Sequence, residues 1–146
     1  MVVIQNIIND INVDEERLKL TCQQFMKESS VGDSELLIRL VSPLEIQVLN
    51  KEYRSKNQVT NVLSFQSDVP EEIGERILGD VVICVEVVRE EAVVGGKAFS
   101  DHLSHMAIHG ILHLIGHDHA DLVSANKMEL IEIDFLKKIG IDNPYQ

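Results

Sequence analysis

The sequence is poor in positive charge. Its 146 residues carry 13 Lys and Arg against 24 Asp and Glu, a formal net charge of −11. A surface of that sign argues against non-specific binding to duplexes, because phosphate backbones are held by Lys and Arg. It leaves room only for a locally basic cleft, or for binding guided by a partner. Cysteine is scarce as well: Cys22 and Cys84 are far apart and form no CxxC motif, which favours a reducing cytoplasm. No apolar run approaches the ~18 residues of a membrane span, so no membrane association is expected. The opening Met1-Val2-Val3-Ile4-Gln5 has no basic stretch, and no signal peptide is expected from it. Repeats, low-complexity segments and linkers are also missing. What remains is 45% hydrophobic and 25% charged, ordinary for a globular chain. It reads as a single domain over residues 1–146, long enough to bury a core.

Periodicity then orders the elements. Val2 to Ile8 is rich in β-branched residues and reads as a strand. Asp14 is a helix N-cap, and Leu18, Cys22, Phe25 and Met26 form the apolar stripe of a helix running to about Ser29. Gly32-Asp33-Ser34 is a turn before a second strand, Glu35 to Val41. Ser42-Pro43 opens the next helix, with Ser as cap and Pro at the first helical position. That helix is expected to turn Leu44, Val48 and Leu49 inward and to end near Tyr53. Arg54 to Thr60 reads as a polar loop, Asn61 to Phe65 as a short strand, and Asp68 to Arg76 as an exposed acidic connection. Leu78 to Cys84 is a strand, apolar apart from Gly79-Asp80, as a central strand would be. A helix from Val85 breaks at Gly95-Gly96, another starts near Ser100 and runs to Ile115, and a last one spans about Asp121 to Ile139. Met128, Ile131, Phe135 and Leu136 form the inner face of that last helix. The order predicts an α+β fold, a mixed α/β sandwich: about four strands in a small mixed sheet, about five helices covering it, and the helix ending at Ile115 buried at the centre.

That central helix carries the chemistry. Residues His109 to His119 read H-x-x-x-H-x-x-G-x-x-H. Residues four apart on a helix lie one above the other, so His109 and His113 can offer ring nitrogens to one cation. Gly116 falls where the helix ends, because glycine tolerates the left-handed turn that reverses the chain. The turn brings His119 round as a third ligand. Three protein ligands with a fourth position open to water is the catalytic form of a zinc site, whereas structural sites usually close with four. Imidazole also suits nickel, iron or copper. All six histidines lie between His102 and His119. By helical rise His105 is about 12 Å from His113, so it reads as a supporting residue and His102 as a polar residue of the first turn. His117 lies in the turn itself. Asp80 is either a buried hydrogen-bonding residue or the partner that orients a ligand histidine. Asp118 is either an orienting residue or a proton-transfer group.

Two resemblances follow. The His spacing is similar to the metzincin zinc-protease signature H-E-x-x-H-x-x-G-x-x-H, but Gly110 stands where those proteases carry their Glu base. The motif builds the metal centre without the peptidase. Taken with Thr60-Asn-Val-Leu-Ser-Phe65 and Leu78-Gly-Asp80 upstream, and with the Asn-Pro-Tyr ending, nearly the whole chain resembles the YbeY family. These are bacterial, single-strand-specific metallo-endoribonucleases tied to ribosomal RNA maturation. The resemblance implies that His109, His113 and His119 bind one zinc ion and that Arg54 is the functional arginine. It also implies single-stranded RNA and rRNA as substrate, with the small ribosomal subunit and its assembly proteins as partners, and a role in small-subunit rRNA 3′-end maturation and ribosome quality control. DNA is not expected. Arg54 suits this on its own terms. Its planar fork matches phosphate oxygens, and Arg54 and Lys56 are the only charges between Tyr53 and Ser67. With no Glu after the first histidine, the general base would be Asp118 or the metal's own hydroxide. Two positions depart from the family. His117 stands where relatives often have Tyr, adding an imidazole near the metal, and Gln66 follows Phe65 where many have Pro, so the loop there is expected to run differently. The alternatives are a non-enzymatic ribosome-assembly factor with a stabilising zinc, and a zinc hydrolase of peptide-type substrates.

Overall fold

A computed structural model of the chain describes residues 1–68 and 76–146. The acidic connection expected around Pro70 and Gly74 lies outside them. The elements run β1 (Val2–Asn6), α1 (Glu15–Glu28), β2 (Glu35–Val41), α2 (Pro43–Arg54), β3 (Val62–Gln66), β4 (Ile77–Cys84), α3 (Val85–Val94), α4 (Phe99–Ile115) and α5 (Leu122–Lys138). The caps read from sequence are in place: the Asp14 side chain accepts from Arg17 N, and that of Ser42 accepts from Glu45 N. Each satisfies a backbone donor the first helical turn leaves unpaired.

The fold is α+β, with a four-stranded sheet in the order β1-β2-β4-β3. β1, β2 and β4 are parallel, and β3 runs antiparallel along β4 as an edge strand. The β2–β4 register slips between the Glu35–Ile77 and Leu36–Gly79 pairs, leaving Leu78 as an extra residue. Gly79 makes the irregularity affordable in space: its φ is +143°, and a Cβ there would lie 2.3 Å from the Phe65 carbonyl oxygen. Gln66 is the last residue of β3, paired with Gly79.

Strand alternation divides the core in two. Leu36, Ile38 and Leu40 of β2 and Val81 and Ile83 of β4 face the larger side, packed by α1, α4 and α5. Val41, Val82 and Cys84, with Leu63 of β3, face a smaller cluster that takes Ile46 from α2. α4 runs through the larger core: Leu103, Ala107, Ile108, Ile111 and Leu112 are all at most 3% exposed.

α2 corrects one expectation. Leu44 and Val48 are 71% and 51% exposed, while Ile46 and Asn50 are buried and Leu49 is half-buried. The second cluster is small enough that one narrow stripe of α2 covers it, and Asn50 uses its place there to donate to the Gln58 carbonyl at 2.9 Å. Arg54 is likewise the last residue of α2 rather than the start of a loop, and Ser55 beyond it takes the left-handed conformation with φ +59°.

Candidate metal centre and cleft

α4 approaches the sheet closely at Gly110. A Cβ there would lie 2.6 Å from Val81 Cγ1 and 3.1 Å from Ser64 Oγ. Ser64 Oγ instead donates to the Gly110 carbonyl at 2.8 Å, tying β3 to α4. The residue that departs from the protease signature is therefore the one through which the helix meets the sheet. A glutamate has no room at this position.

One residue before this contact and three after it, the helix presents His109 and His113 to the cleft. His109 and His113 stand one turn apart with ring centroids 4.8 Å apart. The helix then ends at Gly116, φ +110°, where Gly116 N bonds to the His113 carbonyl and His117 N to that of Leu112. This paired pattern is a Schellman motif, which closes a helix by using the left-handed residue to reverse the chain. It returns His119 to within 5.6 Å of the His109 ring and 5.0 Å of the His113 ring. One ligand atom from each of the three histidines lies within 4.8 Å of the others, so the group could hold a metal ion. Two observations test the fit. The Nε2 atoms of His109 and His113 are 3.2 Å apart, close to the ~3.3 Å separating two nitrogens that sit 2.0–2.1 Å from one tetrahedral ion. Burial, followed by the neighbouring His109 and His119, holds His113 below the usual histidine range, which keeps it in the neutral form that binds metal.

His109 has a partner that sequence reading missed. Glu132 of α5 is fully buried, and its Oε1 accepts from His109 Nδ1 at 2.8 Å. Its Oε2 accepts from His105 Nε2 and, at 2.6 Å, from the Tyr145 hydroxyl. Burial pushes this carboxyl upward, but hydrogen bonds from His105, His109 and Tyr145 outweigh it and hold it at about 2. An ionised Glu132 can only accept, so His109 carries its proton on Nδ1 and presents the Nε2 lone pair. The signal was in the sequence: Glu132 lies four residues after Met128 and three before Phe135, inside the stripe read as the inner face of α5. A carboxylate on a buried face is seldom there without partners.

The other expected residues scatter. Asp80 lines the cleft on the α2 side of β4, and the carboxylate that meets a ligand histidine is Glu132, not Asp80. Asp118 accepts from Ala120 N at 3.1 Å, shaping the turn around His119. His117 lines the cleft but stands outside the ligand group. His102, expected as a polar residue of the first turn, is buried and bonds through Nε2 to Glu91 of α3 at 3.0 Å.

The cleft has a volume of about 1310 Å³ and follows edge strand β3, with the three histidines on one wall and the end of α2 on the other. Arg54 is on that second wall. Its Nη2 donates to the Ser64 carbonyl at 2.7 Å, and its guanidinium lies 5.7 Å from the Phe65 ring centre. Ser64 thus touches both walls, Arg54 through its carbonyl and Gly110 through its hydroxyl. Arg39 and Lys56 also line the cleft, but so do Asp68, Asp80 and Asp118. Arg54 and Lys56, the only charges read between Tyr53 and Ser67, both line the cleft beside these carboxylates.

Comparison with known proteins gives consistent results. The family profile described as Endoribonuclease YbeY matches residues 3–140. A protein named Endoribonuclease YbeY from Ruthia magnifica subsp. Calyptogena magnifica is 58% identical over 145 residues, covering 99% of this chain and all of the relative. One of the same name from Pseudomonas syringae pv. syringae is 49% identical, covering 90% of this chain and 80% of the relative. The solution structure of TM1509 from Thermotoga maritima superposes with a TM-score of 0.66 at 28% identity, covering 95% of this chain and 89% of that one.

Proposed function

The chain belongs to the YbeY family, and from that membership we propose that residues 1–146 act as one metal-dependent endoribonuclease domain that cleaves single-stranded RNA in ribosomal RNA maturation. The observation that carries the reading is the cleft itself: a three-histidine group on one wall faces an anchored arginine on the other. The donor set is all imidazole, with no fourth ligand among the described residues, which suits a catalytic zinc, with nickel, iron or copper as chemical alternatives. A divalent ion held there polarises a phosphoryl oxygen and lowers the pKa of water toward about 7.

The rest falls to the chain. His109, His113 and His119 hold the ion, and the Glu132 carboxylate sets the tautomer of the first. Arg54 has five N–H donors, one of which is committed to Ser64; the others remain for the phosphate oxygens on which charge develops. Tyr53 lines the cleft with 58% of its surface exposed and packs edge-on to Phe65 at 5.2 Å. An exposed ring suits unpaired bases, because stacking tolerates any sequence but needs a free base face. Asp118 stands near the metal end of the cleft as the side chain available to move a proton. The net charge of −11 makes capture of free RNA weak, so delivery by the small ribosomal subunit and its assembly proteins in the cytoplasm fits the surface. No described helix is long and apolar enough to cross a membrane.

The deciding experiment is cleavage of a single-stranded RNA by highly purified protein, beside His113→Ala, His119→Ala and Arg54→Ala, with metal content determined on each. Wild type should cut. Both histidine variants should lose metal and activity while staying folded, and Arg54→Ala should keep its metal with activity lowered about 10²–10³-fold, as for loss of one transition-state donor. Equal cutting by all four preparations would mark a contaminant and leave the assembly-factor reading. That alternative predicts that His119→Ala unfolds. The structure supports a folded variant instead, since His119 is exposed while α4 is fixed by its own apolar contacts. The peptidase alternative has no observation in its favour, because Gly110 leaves no space for the required glutamate.

A further inference from the structure

The C-terminal tail reaches the metal site without touching it. Beyond α5 the chain is pinned at several points: Ile141 is buried, Lys97 Nζ donates to the Pro144 carbonyl at 2.8 Å, and Tyr145 N donates to Asn143 Oδ1 at 2.8 Å. These contacts bring the Tyr145 hydroxyl to Glu132 Oε2, 2.6 Å away, and its ring edge-on to His105, with centroids 5.5 Å apart. Glu132 therefore takes donors from three places: α4 one turn above the metal ligand, the ligand His109 itself, and the tail.

We propose that Glu132 and Tyr145 are positioning residues for the metal centre, with the tail setting how tightly the three histidines hold an ion. The division of labour on the carboxylate is what argues it. Oε2 is occupied by His105 and Tyr145, which leaves Oε1 facing His109 Nδ1 alone. With both Oε2 donors in place the carboxylate cannot rotate to exchange its oxygens without breaking them, so the His109 ring is held with Nε2 toward His113 and His119. Removing the Tyr145 hydroxyl leaves Oε2 with His105 alone and loosens that choice. Carboxylates that hold a ligand imidazole in this way raise its basicity and fix its orientation, and losing one typically weakens metal affinity about 10–100-fold. Glu132 as a mere core anchor would need no ligand histidine among its donors.

The inference rests on the metal reading above, and its test uses no RNA. Zn(II) and Co(II) affinities are measured by competition with a chromophoric chelator for wild type, Glu132→Gln, Tyr145→Phe and Leu130→Ala, the last an exposed control on the same helix. Nitrogen NMR of the metal-free proteins reports the His109 tautomer. Glu132→Gln should bind about 10–100-fold more weakly. Tyr145→Phe, which loses one hydrogen bond, should bind about 2–10-fold more weakly. Leu130→Ala should match wild type. His109 should be protonated at Nδ1 in wild type and a mixture of tautomers in Glu132→Gln, a change that a purely structural residue would not produce. Wild-type affinity in either folded variant overturns the proposal. If Glu132→Gln fails to fold, Tyr145→Phe decides the matter, since Tyr145 is 45% exposed and the change removes only its hydroxyl. A wild type that takes up neither ion overturns the metal reading itself, which the variants alone cannot do.

Discussion

The two walls of the cleft are built differently. α4 carries His109 and His113, with His119 in the exposed turn that follows, and is embedded almost all round: its positions 102–108 are buried without a break, and it presses on the sheet at Gly110 with no gap. α2 carries Arg54 and lies on the small cluster, with two of its apolar side chains turned to solvent. The histidine wall is thus held by packing on several elements, whereas the arginine wall is held by a narrow apolar stripe and by polar ties: the Arg39–Glu45 ion pair, Asn50 to the Gln58 carbonyl and Arg54 to the Ser64 carbonyl. Metal ligands must be placed to a fraction of an ångström, and burial supplies that. Under the proposed role of Arg54, a phosphate clamp would tolerate adjustment as a flexible substrate enters.

This contrast can be broken at its tightest point first. Gly110→Ala should destabilise the protein by about 1–3 kcal/mol through overpacking against Val81, lowering the melting temperature by some 2–4 °C per kcal/mol in a chain of this size. In an unconstrained helix the same change would stabilise by about 1 kcal/mol, so the sign alone decides. A melting temperature that rises would show that α4 does not press on the sheet as described. Truncations compare the two walls directly. Ile108→Ala on α4 should cost about 2–5 kcal/mol in urea unfolding, while Leu44→Ala on α2 should stay within about 0.5 kcal/mol. A large loss for Leu44→Ala would mean that something covers that face of α2.

The smallest effect concerns pH. Burial is the main cause that holds His102 and His113 below the ordinary value of 6.5. Their folded values lie beneath the unfolded one, so between the two the unfolded chain binds more protons and stability rises with pH. The metal-free protein should therefore have a lower urea midpoint at pH 5.5 than at pH 7.5. Glu132 titrates elsewhere: its folded value of about 2 lies below the ordinary 4.5, so its contribution is intact above 4.5 and is lost only as pH falls toward 2. A His102→Gln variant should flatten the dependence between pH 5.5 and 7.5 in part. An unchanged slope would remove His102 from the account.

Local geometry made much of this molecule legible from sequence. Asp14, Ser42-Pro43 and Gly116 act on backbone groups within a few residues, so helix ends are written where they occur. The ligand group is legible for the same reason: helical pitch places His109 over His113, and one left-handed glycine returns His119, with no distant residue involved. The near-continuous apolar run of Leu78 to Cys84 likewise foretold a central strand, and β4 lies inside the sheet. What sequence could not decide was which face meets which. Leu44 and Val48 have the spacing of a core stripe, yet the second cluster is too small to receive them. Asp80 and Glu132 were both carboxylates in apolar surroundings, and only the packing of α5 on α4 selected Glu132 as the partner of His109. Gly110 reads in sequence as a missing catalytic base, but in the fold it is a point of contact with Val81 and Ser64. Tyr145 reads as a family ending and proves to be a donor to the buried carboxylate. Spacing along one helix is set by bonds between neighbours, whereas these pairings join residues 13 or more positions apart, and their outcome depends on how the whole chain divides its apolar surface between two unequal cores.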